Sequence, residues 1–168
     1  MEKLKGNNPE AMFKNQVVKN ILSAVAIPVF GFILLNLAFM FDFLVQSLVI
    51  GLINLFTPVD FQTTFHWLPP VLHGLFMVII GIISWSIFRS KLRTLYKAIY
   101  LPVPLATVLV TYGVFLGRWP IIVYPLGGLS VIGVLYYFYR TKQPWLFYFA
   151  AILMGLVMLL VGLLNVEI

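Results

Sequence analysis

Apolar residues run through the chain in long blocks, parted by short basic or proline-marked breaks. From Tyr100 onward the blocks are 101–117, 121–138 and 145–164, separated by Arg118-Trp119-Pro120 and by Arg140 to Pro144. A further block, 71–88, is opened by Pro69-Pro70, where a missing N–H costs least, and closed by Arg89. Crossing a hydrocarbon core of about 30 Å takes roughly 20 mainly apolar residues, so each block predicts one membrane-spanning helix. Strict alternation of the barrel-strand kind is lacking, and in lipid an α-helix then satisfies the backbone hydrogen bonds internally.

Upstream, residues 17–56 stay apolar over about 60 Å of helix at 1.5 Å per residue, twice a bilayer. Either two short crossings turn at Asp42, or one crossing is joined to a helix lying on the surface. Basic residues decide between them. They occur at Lys3, Lys5, Lys14 and Lys19, at Arg89, Lys91, Arg93 and Lys97, at Arg118, and at Arg140 and Lys142. A single crossing before Pro69 puts every one except Arg118 on the same side; a turn at Asp42 divides them almost evenly. The inside-positive bias therefore predicts five crossings, with the N-terminus cytoplasmic and the C-terminus outside the plasma membrane.

Pro28 is the expected break within the long block. Before it, Asn15, Gln16, Lys19, Asn20 and Ser23 fall opposite Val17, Val18, Ile21, Leu22 and Val25 on a helical wheel, which suits a basic amphipathic helix at the cytoplasmic interface. Residues 1–28 are read as that lead and 29–56 as the first crossing. The rival places the crossing at 18–40 and lays 43–56 along the outer surface. The fold expectation is an all-α polytopic bundle in one integral membrane domain, 1–168. Ala24-Val25-Ala26 does not follow a proper leader core, so a cleaved signal is not expected.

Composition agrees: 62% of residues are hydrophobic and 10% charged, with mean hydropathy +1.03, against about 25% charged in a soluble domain. The net charge of +6 sits in clusters bordering apolar blocks, which argues for orientation in the lipid bilayer and against nucleic acid. The absence of cysteine excludes disulfides, thiolate metal sites and cysteine nucleophiles. No phosphate-binding loop, dinucleotide fingerprint, zinc-protease helix or nucleophile elbow occurs, so no cofactor is expected and an enzymatic role is not favoured. The five-crossing, tryptophan-bearing outline resembles the tryptophan-rich sensory proteins, but their tryptophan-asparagine-proline pattern does not occur, and the resemblance implies nothing about function here.

Polar residues inside apolar blocks carry what functional signal there is. On the 29–56 reading Asp42 lies at mid-bilayer, where a carboxylate costs about 2.5 to 3.5 kcal/mol on insertion scales and is usually paired or functional. Asn36, Gln46, Ser47 and Asn54 on the same helix extend it into a candidate polar seam for transport of a small solute, ion or lipid. If the rival holds, Asp42 is a helix cap at the outer interface. Asp60, His66 and His73 form a second, weaker cluster at the outer mouth of the second crossing; their groups can ligate zinc or exchange protons, but their spacing matches no ligand pattern and solvated loop positions account for them. Small residues at Gly113 and Gly117, at Ala151, Gly155 and Gly162, and at Gly74, Gly81 and Ser84 suit close helix packing within the bundle or against a homo-oligomer or membrane-complex partner. A transporter and a non-catalytic accessory subunit are the leading function classes, with an enzyme acting at the outer headgroup boundary third.

Overall fold

The computed structural model describes residues 9–56 and 67–164, all of it helix and short connections. The helices are α1 (Pro9–Phe56), α2 (Leu68–Arg89), α3 (Thr94–Tyr100), α4 (Pro102–Leu116), α5 (Pro120–Arg140) and α6 (Trp145–Leu163). Pro102 and Pro104 remove two backbone donors where α3 meets α4, so the two run on as one span, Thr94–Leu116, with a proline-marked joint. Counting that span once, five helices among the described residues are long and apolar enough to cross a membrane. The chain is an integral membrane protein built as a polytopic helical bundle.

The α3/α4 span is central and packs against α1, α2, α5 and α6. Its small and branched side chains allow close approach: Ala98 and Ala106 are fully buried, with Ile99, Leu101 and Leu105 beside them, and Ile27, Phe138, Phe147, Ala150, Ala151 and Met154 close the main core. A second cluster, Phe76, Ile80 and Val103, joins α2 to α4. Outward faces are lined by Leu, Ile, Val and Phe, as expected where lipid replaces water. Lys97 donates from Nζ to the carbonyls of Phe88 and Ser90 (2.8 and 2.7 Å), satisfying acceptors at the end of α2 and tying the α2–α3 turn.

Pro28 does not break α1. The helix is continuous from Pro9 to Phe56, through both Pro28 and Asp42, so a turn at Asp42 is absent and the lead is not a separate element. Packing explains the tolerance. Ile27 is fully buried, and Gly31 lets the helix approach the Ile99 carbonyl and the Pro102 ring so closely that an added Cβ would lie 3.1 and 3.2 Å from them.

Contacts fix how far the bundle covers α1. Asp42 meets His73 and Phe39 meets Phe76, so α1 and α2 run antiparallel. Extended to the ends of α2, that register sets residues 26–47 of α1 alongside α2. Residues 9–25 and 48–56 run past the ends of α2, by about 25 Å and about 13 Å at 1.5 Å per residue.

Candidate functional site

The seam between α2 and the α3/α4 span has one register throughout: His73 faces Thr111 at one end and Ser84 faces Tyr100 at the other. Along it lie the buried polar residues, and the more elaborate group is at the end nearer Trp67. Asp42 Oδ2 is 2.8 Å from His73 Nδ1, and His73 Nε2 is 3.1 Å from Thr111 Oγ1. Asp42, His73 and Thr111 are 6%, 4% and 9% exposed, so three helices bring an ionisable pair and a hydroxyl together out of contact with solvent or lipid. Gln46, one turn after Asp42, donates from Nε2 to the other carboxylate oxygen at 3.0 Å. Thr111 in turn donates to the Thr107 carbonyl at 2.6 Å, and Thr107 to that of Val103 at 2.8 Å.

The tautomer of His73 sets which of its ring nitrogens donates, and the single Thr111 hydroxyl hydrogen has two acceptors within reach, His73 Nε2 and the Thr107 carbonyl.

Beyond it the seam changes character. Phe76, Ile80 and Val103 form an apolar plug, with Phe76 against the His73 ring at 6.0 Å between centroids. Past the plug, Ser84 donates to the Ile80 carbonyl at 2.6 Å and shares a 3.1 Å bond with the Tyr100 hydroxyl. Two polar stations therefore share one helix–helix seam with hydrocarbon between them. The order carboxylate, imidazole, hydroxyl is also that of a nucleophilic triad. Here, however, Thr111 lies within α4, where backbone N–H groups are engaged in the helix and none is presented as an oxyanion donor.

The residues singled out from sequence separate into distinct places. Asp42 and Gln46 belong to the site, joined by His73, which is buried in α2 rather than solvated in a loop. Asn36, Ser47 and Asn54 are exposed on a different face of α1 and do not join them. Asp60 and His66 lie outside the described residues, and among the described residues no group of three or more metal-ligating side chains is found. Depth also differs. His73 and Thr111 each lie five residues from the helix end on the Trp67 side, about 7.5 Å. Asp42 shares that level, while Asn36 stands at the middle of 26–47. Thr107, Thr111, Ser84 and Tyr100 carry no sequence signal as a site, because hydroxyls bonded to the carbonyl one turn earlier are routine in apolar helices.

The comparisons leave the site to stand on its geometry: no family model, no curated protein and no solved structure matches this chain.

Proposed function

We propose that this protein is a membrane transporter that conducts protons, with Asp42, His73 and Thr111 as the site that holds the proton. The observation that carries this reading is the 2.8 Å Asp42–His73 contact between two membrane helices, buried and continued to a hydroxyl. Ionisable side chains at membrane depth are costly and commonly mark proton relays or ion paths. The apolar plug and the Ser84–Tyr100 pair support the same reading, since a path that is closed at rest needs a barrier between its stations. Orientation follows from charge: Lys14, Lys19, Arg89, Lys91, Arg93, Lys97, Arg140 and Lys142 gather at one end of the alternating helices and Arg118 at the other. On the inside-positive rule the Asp42–His73 site then lies toward the outer leaflet.

A second reading has its own support. A groove of about 250 Å³ between α1 and α2 is lined by Leu34, Leu37, Phe41, Ile79, Ile83 and Tyr100 among others, almost all apolar. It offers no hydrophilic route to the pair. On that reading the pair is a static clamp in an accessory subunit.

Proton flux separates the two. Proteoliposomes carrying an internal pH dye and a valinomycin-set potassium potential should acidify faster with the wild type than without protein. Asp42→Asn and His73→Gln should fall to the protein-free rate, about tenfold or more below wild type. Wild-type flux in both variants, or none in the wild type, would leave the clamp.

A further inference from the structure

The broad face of α1 that its own bundle leaves open includes a line of heptad spacing that carries a polar residue at its centre. Steps of four and three residues link Val29, Ile33, Asn36, Met40, Phe43 and Ser47, all of them exposed. The same spacing continues through the half-buried Ile50 to Asn54, which is exposed. A repeat of 3.5 residues keeps such a line on one side of a helix that winds gently around a partner.

Asn36 says what kind of partner fits. It stands at the mid-level of the bundle and faces lipid, and its Nδ2 donates to the Phe32 carbonyl one turn back at 2.8 Å. Among the described residues, its Oδ1 and second amide hydrogen have no partner. An amide left so in hydrocarbon is costly. A second copy in the same membrane has the same orientation, so a two-fold axis along the bilayer normal brings equal residues to equal depth. A carboxamide is both donor and acceptor, and two of them across such an axis satisfy each other. Interhelical bonds of this kind, with close packing, hold membrane helices together. We propose that the protein forms a parallel dimer in which α1 packs on α1 of a second copy along this seam, with Asn36 bonded to the partner subunit's Asn36.

Thiol cross-linking in native membranes tests this, and the lack of native cysteine makes single substitutions unambiguous. Met40→Cys and Ser47→Cys should give an oxidant-dependent dimer band. Phe41→Cys should not, although Phe41 is as exposed as Met40 (52% against 55%), because it points into the α1/α2 groove. In the Met40→Cys background, Asn36→Leu should lower the dimer fraction about fivefold, while Asn36→Gln should keep most of it. Equal cross-linking at Phe41, no dimer from either seam position, indifference to Asn36→Leu, or a cross-linked product that mass spectrometry identifies as another protein would each overturn the proposal.

Discussion

His73 is the residue on which the site turns, because it alone touches both Asp42 and Thr111. Removing it leaves the buried Asp42 carboxyl with Gln46 as its remaining side-chain partner, and a buried polar group short of a partner costs about 1 to 3 kcal/mol. Thermal unfolding in detergent, followed by tryptophan fluorescence, should accordingly show a clear loss for His73→Ala. The double variant with Asp42→Ala should lose much less than the sum of the singles. Thr111→Val should cost only about 0.5 to 1.5 kcal/mol, the scale of one hydrogen bond, and should lower proton flux more than it lowers stability. Equal and additive losses from all these changes would reduce the chain to ordinary packing. Asp42 stands out in the sequence as a carboxylate inside an apolar block, but sequence alone leaves it either a buried charge or a helix cap, and the continuous α1 removes the turn that a cap at Asp42 would need. His73 is legible as titratable but not as its partner: thirty-one positions separate them, and only the antiparallel register of α1 and α2 brings them together.

Among the elements, the blocks after Pro69 are legible because each is close to one bilayer in length and bounded by charge or proline. The long α1 block is not, since continuity through Pro28 depends on tertiary support from α3 and α4 that no local pattern reports. Small residues are legible in part: Gly155 and Gly162 press on Val131 and Tyr124, where an added Cβ would lie 3.2 and 3.0 Å away, but Gly113 of the G-x-x-x-G pair would meet nothing within 4 Å, and Gly31, in no such motif, is a close approach of α1 to the central span. Gly31→Ala should therefore destabilise the fold by about 1 to 3 kcal/mol through overpacking against backbone and proline ring, and Gly113→Ala should be neutral or mildly stabilising as helix propensity improves. Melting temperatures of the two variants check this directly, and the reverse ranking would mean that α1 sits differently on the central span.

For the molecule as a whole, the basic residues gathered at one end lead to a simple topology. A reporter fused after Ile168 should behave as extracytoplasmic, and one inserted between Arg89 and Lys97 as cytoplasmic; a cytoplasmic C-terminal reporter would reverse the assignment of the Asp42–His73 site to the outer leaflet. One mechanical consequence remains in the length of α1. An unbroken helix behaves as a stiff rod, and this one is gripped near Gly31 while its far tip at Phe56 stands about 37 Å away. Pivoting about that grip by only ten degrees or so would sweep the tip through roughly 6 Å at that length. The Asp42–His73 contact lies a little under halfway along the same arm, so a small displacement there is roughly doubled at the tip, where a neighbouring molecule would feel it.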